Sequence, residues 1–138
     1  MGYEGYLIKV GSYKIPFRFI EASTYKDGIK GKDLEAFEDT DGITQRHALK
    51  NVAIKVEWEV PSPVMESELR EMMDGIQRQY KDSVEKKAEV TAWMPEIGRY
   101  VTQDCYVPDI EFQIDYADEK DIEYGSFRIA FIGYGGKL

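Results

Sequence analysis

The stretch NVAIKVEWEVPSPVMESELREMMDGIQRQY, residues 51–80, decides the fold. In its first ten residues, apolar side chains alternate with alanine, lysine and glutamate, which is the period of a strand with one buried and one wet face. The apolar positions are Val52, Ile54, Val56, Trp58 and Val60. We therefore predict a half-buried β-strand over residues 51–60.

The same stretch continues into a predicted helix. Pro61 and Pro63 cannot donate to a β-ladder, and Ser62 can cap a helix that has Pro63 at its first position. Apolar residues then recur at spacings of three and four, which predicts a single helix over about residues 63–81. These residues are Met65, Leu69, Met72, Met73, Ile76 and Tyr80. Gly75 costs this helix about 1 kcal/mol relative to alanine, so packing must hold it.

Before this stretch, the sequence predicts a hairpin and a loop. Gly11-Ser12 lies between two β-rich runs and suits a tight turn, with the second arm continuing through Phe17, Phe19 and Ile20. The segment KDGIKGKD, residues 26–33, is charged, glycine-rich and without periodicity. We predict a mobile loop there, of the kind that often makes contacts between subunits.

After the helix, the sequence predicts further strands. They are AEVTAWM (88–94), RYVTQDCYV (99–107), EFQIDY (111–116) and GSFRIAFIGY (125–134), with a turn at 96–98 and a linker at 118–125. Strands on both sides of one helix favour an α+β fold, namely an antiparallel β-sandwich or open barrel with a single α-helix. At 138 residues, we expect one domain spanning residues 1–138.

Composition excludes several classes of function. The net charge of −8 argues against nucleic-acid recognition, because phosphate binding needs a basic face. It does not forbid a repulsive channel through which DNA slides. The single cysteine, Cys105, excludes an internal disulfide. No run approaches the roughly 20 apolar residues of a membrane span, so we expect no membrane partner.

The segment EDTDGITQRHA, residues 38–48, has two interpretations: a calcium loop or a β-turn. With Gly42 as the loop glycine, Asp39 and Asp41 fit the calcium-loop pattern, but its first and twelfth ligands become Phe37 and Ala48. We therefore predict a turn between two strands, a geometry that aspartate and glycine both suit.

Other candidate chemistry is weak. His47 is the only histidine, and we interpret it as a strand residue; Cys105 alternates with Gln103 and Val107, which favours a buried thiol over a nucleophile. One cysteine and one histidine do not make a zinc site, and the glycines at 133–136 have no strand-to-helix context for phosphate. We predict no enzyme, catalytic residue, metal or cofactor.

The chain resembles small tail proteins of long-tailed bacteriophages and prophages, the group of tail-tube, distal-tail and baseplate-ring components. Four segments carry the resemblance: IEASTYK (20–26), DLEAFEDTDGITQRHAL (33–49), KVEWEVPSPVMESELREMM (55–73) and YVTQDCYVPDI (100–110). In such proteins a D-x-D/N-G turn joins two strands of a β-sandwich, and an arginine and an apolar residue follow it. Here these positions are Asp39, Asp41, Gly42, Arg46 and Leu49.

The resemblance implies a structural subunit that forms a ring, commonly hexameric, around the DNA channel of a virion tail, made in the bacterial host cytoplasm. Its partners would be itself and adjacent tail proteins, with DNA only as passing cargo. Glu57 and Glu59, on the wet face of their strand, are candidates for an acidic channel surface that repels phosphates. The segment Lys26, Asp27, Gly28, Ile29, Lys30, Gly31, Lys32 and Asp33 is the candidate intersubunit contact. A tail-terminator or connector protein, and a monomeric β-sandwich module that binds a peptide or carbohydrate, stay open as alternatives.

Overall fold

The computed structural model describes the backbone of residues 2–38 and 44–136, and the side chains of residues 2–29 and 52–136. This part of the chain contains ten strands and one α-helix. In chain order these are β1 (Ile8–Val10), β2 (Tyr13–Lys14), β3 (Lys26–Glu38), β4 (Thr44–Val60), β5 (Val64–Met65), α1 (Glu66–Gln77), β6 (Lys87–Met94), β7 (Arg99–Tyr106), β8 (Ile114–Ala117), β9 (Ile122–Tyr124) and β10 (Phe127–Gly133).

The strands form two antiparallel sheets. The larger has seven strands in the order β2-β1-β6-β7-β10-β4-β3, and the smaller has three in the order β5-β9-β8. The buried stripe of α1 belongs to the same hydrophobic cluster as the inner face of the large sheet. The predicted α+β class, antiparallel strands with one α-helix, is thus confirmed for the described residues.

The strand predicted over residues 51–60 is confirmed as the second half of β4. Val56, Trp58 and Val60 are fully buried, whereas Lys55 and Glu59 are exposed. Trp58 lies at the centre of the core: its ring stacks on Phe131 with centroids 5.8 Å apart, and its Nε1 donates to the carbonyl oxygen of Phe19 at 2.9 Å. The strand is longer than predicted, because it begins at Thr44.

The predicted helix bounds of 63–81 are wrong. Helix α1 spans only Glu66–Gln77, because Val64–Met65 pair with β9 as strand β5. Ser62 is therefore not the cap; the Glu68 carboxylate instead accepts a hydrogen bond from the Met65 N–H at 3.1 Å. The apolar stripe itself is confirmed, since Leu69, Met72, Met73 and Ile76 are buried.

Two other segments also differ from prediction near the N-terminus. The hairpin at Gly11-Ser12 is confirmed, but its second arm ends at Lys14, and Phe17–Phe19 form a 3-10 helix after Pro16. Proline lacks the N–H that would continue the ladder, which explains the break. Residues 26–33, predicted to be a loop, belong to β3, where they pair with β4. Charged residues and glycines suit an edge strand, so their lack of apolar periodicity was misleading.

The predicted linker at 118–125 is also wrong in part. Its second half contains β9, which pairs with both β5 and β8. The preceding strand, predicted at 111–116, begins only at Ile114 and continues to Ala117. The strands predicted at 88–94, 99–107 and 125–134 correspond to β6, β7 and β10.

Candidate assembly surfaces

Open strand edges are the first feature of this fold that can bind another chain. Strands β2 and β3 lie at the two ends of the large sheet, and β5 and β8 lie at the two ends of the small one. A strand at an edge presents backbone N–H and C=O groups to which a further strand can pair. β3, with 13 residues, is the longest of these edges, whereas β2 has two.

The hairpin of β3 and β4 reaches beyond the rest of the sheet. β4 pairs with β10 only between Lys55 and Val60, with one further bridge from Val52 to Gly136, but it pairs with β3 along nearly its whole length, up to Glu38 opposite Thr44. Within the described backbone, residues 32–38 and 44–51 thus form a two-stranded ribbon. Such ribbons are marginally stable alone, so contact with another surface would stabilise this one.

The candidate intersubunit segment, residues 26–33, lies at the start of the β3 edge. Lys26 is exposed, and Asp27, Gly28 and Ile29 are partly buried. Lys26 lies opposite Glu57 of β4, and Gly28 opposite Lys55. The side chains of Lys30, Gly31, Lys32 and Asp33 lie outside the described residues.

The candidate channel-facing acids, Glu57 and Glu59, have different environments. Only 17% of the Glu57 side chain is exposed, and its buried Oε2 lies 3.3 Å from Nη1 of Arg128 and 4.0 Å from Nζ of Lys55. Glu59 is exposed, and its backbone N–H donates to Oγ1 of Thr24 at 2.8 Å. The wet face of β4 is therefore a mixed-charge surface in which Glu59 is the more accessible acid.

The turn residues on which the resemblance depends are only partly described. Asp39, Asp41 and Gly42 lie outside the described residues, between the last residue of β3 and the first of β4. Arg46 lies in β4 opposite Ala36, and His47 lies opposite Glu35, both on the ribbon. Their side chains are likewise outside the described residues.

Cys105 is a buried thiol on β7, as predicted. Its side chain has no solvent exposure, with Gln103 and Val107 buried on the same side of the strand. Burial, followed by the neighbouring Asp104 carboxylate, raises the pKa of the Cys105 thiol to about 12. A thiol that stays protonated at neutral pH is a poor nucleophile.

Three exposed apolar side chains lie in β8 or just before it. Phe112, Ile114 and Tyr116 are 43%, 56% and 59% exposed, and in the sequence they alternate as residues of a buried strand face would. A register shift between Ile114 and Tyr116 breaks this alternation in the structure and places the two side chains on opposite faces. Phe112 packs on Phe127 with ring centroids 4.9 Å apart, so it rests on the core. On its other side, Phe112 borders a groove of about 370 Å³ between α1 and residues 107–112.

The described residues offer little for metal or membrane binding. No group of three or more histidine, cysteine, aspartate or glutamate side chains in this part of the chain is arranged to hold a metal ion. Among the same residues, no helix has the length and apolar character required to cross a membrane.

Comparison with known proteins identifies a family. Residues 1–134 match the model of DUF6711, a family of unknown function. The chain belongs to this family. No curated protein matches it.

Solved structures share the fold of this DUF6711 member. One is a chain in the tail of an empty GTA particle, computed with helical refinement in C6 symmetry: the TM-score is 0.56, the identity 14%, and the match covers 98% of this chain and 96% of that one. Another is a chain in the virion of a native gene transfer agent (GTA) particle, with a TM-score of 0.54, 12% identity and the same coverage of both chains. At these identities the likeness shows the fold.

Two features of this DUF6711 member were missed at the sequence level. Phe112, Ile114 and Tyr116 have the alternation of an ordinary half-buried strand. Only the tertiary structure shows that a register shift breaks this alternation and that no layer of the described protein covers these side chains. Residues 26–33 were singled out as a contact segment, but their strand conformation was missed, because lysine and glycine replace the apolar residues by which strands are usually found. The sequence feature that could have indicated an edge strand was the lysine content, because edge strands often carry lysines that prevent pairing with other chains.

Proposed function

We propose that this protein is a structural subunit of the tail of a phage-like particle, where it self-associates into a ring around the DNA channel. The observation that carries the proposal is the fold shared over 98% of the chain with a chain of a C6-symmetric tail. Near-complete coverage of both chains supports a common architecture, and a single domain over residues 1–138, rather than one shared motif. The corresponding location is the virion tail, and the corresponding ring is a hexamer.

The open edges of the fold support self-association. A contact between two different surfaces of the same chain is heterologous, and copies joined in this way close into a ring when the rotation between neighbours permits. The large sheet ends in β3 and the small sheet ends in β8, so one copy can offer two different edges to its two neighbours. Residues 26–33 of β3 form one side of the proposed contact.

The charge of the protein supports a channel that DNA passes without binding. A net charge of −8 repels phosphates, and a repulsive wall keeps a duplex from adhering. We place Glu59 on this wall; Glu57 lies beside it, but its carboxylate is mostly buried near Arg128 and Lys55 and adds little to the repulsion. DNA is then cargo, adjacent tail proteins are the axial partners, and no residue has a catalytic role.

Oligomeric state tests the proposal directly. The purified chain is measured by size-exclusion chromatography with light scattering over roughly a hundredfold range of concentration, alone and with its neighbouring tail proteins, and imaged by negative-stain microscopy. We expect rings with a central hole and a mass of six copies. A chain that stays monomeric under all these conditions would refute the proposal.

The groove beside α1 favours one second function, a monomeric module that binds a peptide. Met73, Tyr80 and Phe112 line it with apolar surface, while Gln77 and Lys86 supply polar groups. Apolar pockets with a few polar groups are the usual form of a ligand site. A monomer at all concentrations, with chemical-shift changes at Met73 and Tyr80 on adding a peptide, would support this function instead.

A further inference from the structure

We propose that Gln103 is a positioning residue that fixes where the ribbon of β3 and β4 leaves the body of the protein, and so sets the direction in which the ribbon reaches a neighbouring copy. This inference rests on the proposed function and deepens it, because it names a residue on which ring assembly depends. Gln103 lies on β7, two strands away from β4 in the large sheet. Its side chain nevertheless contacts the ribbon root, by which we mean residues 52–54 of β4.

The ribbon root is the place where the ladder between β4 and β10 becomes irregular. The two strands pair regularly up to Ile132 opposite Lys55, and the next bridge joins Gly136 to Val52. Between these two pairs the C-terminal chain has one residue more than β4, which is the geometry of a β-bulge. Among the described residues, Ile54 consequently has no pairing partner in β10.

The Gln103 side chain supplies the hydrogen bonds that the bulge removes. Its Oε1 accepts from the Ile54 N–H at 3.1 Å, and its Nε2 donates to the Val52 carbonyl oxygen at 2.8 Å. A side-chain amide has the same kinds of donor and acceptor as a peptide group, so Gln103 takes the place of a strand residue beside β4. Val52 also exchanges two backbone hydrogen bonds with Gly136, at 2.9 and 3.0 Å. These four bonds hold the ribbon root to the body of the protein on the side of β4 that faces β10.

Burial makes the position of the Gln103 amide specific. Among the described residues, Gln103 is the one buried polar side chain, with 5% of its surface exposed. To reach β4 it crosses Gly133 of β10, where a Cβ atom would overlap Oε1 of Gln103 and lie 3.1 Å from the Ile54 nitrogen. Glycine at position 133 thus leaves the space that the amide occupies. A shift of the ribbon root would leave the buried amide and the Ile54 N–H without partners, and such a loss is costly away from water.

Three variants test this role of Gln103. Gln103→Met keeps the length of the side chain but removes both hydrogen bonds, whereas Gln103→Asn keeps the amide but draws it back from β4 by one methylene group. Gly133→Ala leaves Gln103 in place and puts a methyl group where its Oε1 lies. The matched control is Val90→Ala, because Val90 is fully buried and lies directly opposite Gln103, but on β6, the side of β7 away from β4.

Amide hydrogen exchange, followed by NMR below the concentration of assembly, measures the hold on the ribbon root. Exchange at Ile54 is compared with exchange at Trp58, further along the same strand, so that a general loss of stability cancels. We expect each of the three variants to speed exchange at Ile54, relative to Trp58, by about tenfold or more. In the Val90→Ala control this ratio should stay at the wild-type value.

Light scattering and negative-stain microscopy measure assembly, alone and with the neighbouring tail proteins, and urea unfolding measures stability. We expect the two Gln103 variants and Gly133→Ala to need about tenfold more protein than the wild type to assemble. Val90→Ala should lose stability in urea but assemble at the wild-type concentration. If Gln103→Met does not fold, Gln103→Asn and Gly133→Ala carry the same test.

The outcomes separate this inference from the proposed function. An unchanged exchange ratio in the folded Gln103 variants would overturn the hold of Gln103 on the ribbon root. Normal rings from these variants, or an equal loss of assembly in Val90→Ala, would overturn the positioning role and leave the proposed function standing. A wild-type chain that never assembles, alone or with its neighbouring tail proteins, would overturn the proposed function and the positioning role together, while the exchange ratio would still decide whether Gln103 holds the ribbon root.

Discussion

Gly75 in helix α1 offers a substitution whose effect on stability should have the opposite sign from helix propensity. Alanine is preferred to glycine inside a helix by about 1 kcal/mol, so propensity alone predicts that Gly75→Ala stabilises the protein. A methyl group at this position would lie 2.6 Å from Cζ of Tyr13 and 2.7 Å from both of its Cε atoms. The Tyr13 ring of strand β2 therefore occupies the space that alanine needs.

The expected change in the free energy of unfolding follows from these two opposing effects, helix propensity and overpacking. Overpacking of this kind costs about 1–3 kcal/mol, and contacts this short with three ring atoms place the cost at about 2–3 kcal/mol. After the gain of about 1 kcal/mol from propensity, we expect Gly75→Ala to lower the free energy of unfolding by about 1–2 kcal/mol. In a Tyr13→Ala background the clash is absent, so the same change should raise it by about 1 kcal/mol.

Urea unfolding of the four proteins, followed by tryptophan fluorescence at low protein concentration, measures this double-mutant cycle. The expected coupling between Gly75 and Tyr13 is about 2–3 kcal/mol, with an unchanged dependence on urea. Low concentration is needed because assembly would add concentration-dependent stability. Stabilisation by Gly75→Ala in both backgrounds would refute the packing of β2 on α1.

Further predictions at three positions concern the core and the ribbon. Trp58→Ala should lower the free energy of unfolding by about 3–5 kcal/mol in urea titrations, because it removes a fully buried ring; a loss below about 1 kcal/mol would mean that the face of β4 is misassigned. Cys105 should not react with a thiol reagent at pH 8 in the folded protein, but should react fully in denaturant. The raised pKa of the Cys105 thiol also means that the folded protein holds the thiol proton more tightly than the unfolded chain does. The stability that this thiol contributes is therefore present below about pH 9 and is lost as the pH rises towards 12. Urea unfolding should show that the stability difference between wild type and Cys105→Ala shrinks over that range. His47→Ala should leave ring formation, measured by light scattering, intact; loss of rings from a folded variant would contradict its interpretation as a plain strand residue.

The sequence pattern was sufficient to predict a helix or strand where one face of the element is buried and the other is exposed to solvent. The alternation around Trp58 and the stripe from Leu69 to Ile76 each encode a period that only one backbone conformation can satisfy. The first and last residues of these elements could not be predicted from the spacing of apolar residues. Helix α1 begins at Glu66 rather than at residue 63, because pairing with β9 draws Val64–Met65 into a strand.

The candidate surfaces were less predictable than the core. Residues 26–33 were singled out for subunit contact, but their strand conformation depends on pairing with β4, a partner that begins only at Thr44. The alternation of Phe112, Ile114 and Tyr116 in the sequence fits a buried strand face equally well, although a register shift breaks it in the structure. Whether a strand face is covered depends on what packs over it, and that is a property of the whole arrangement.

The sequence by itself determined the α+β class, the buried face of β4, the single amphipathic helix and the burial of Cys105, since each follows from the spacing of apolar residues along one segment. The tertiary structure alone decided which edges of the described sheets stay open, which acid lies beside Arg128, and why glycine is favoured over alanine at position 75. These depend on residues that are distant in sequence, such as Tyr13 against Gly75, and no local period records such a contact.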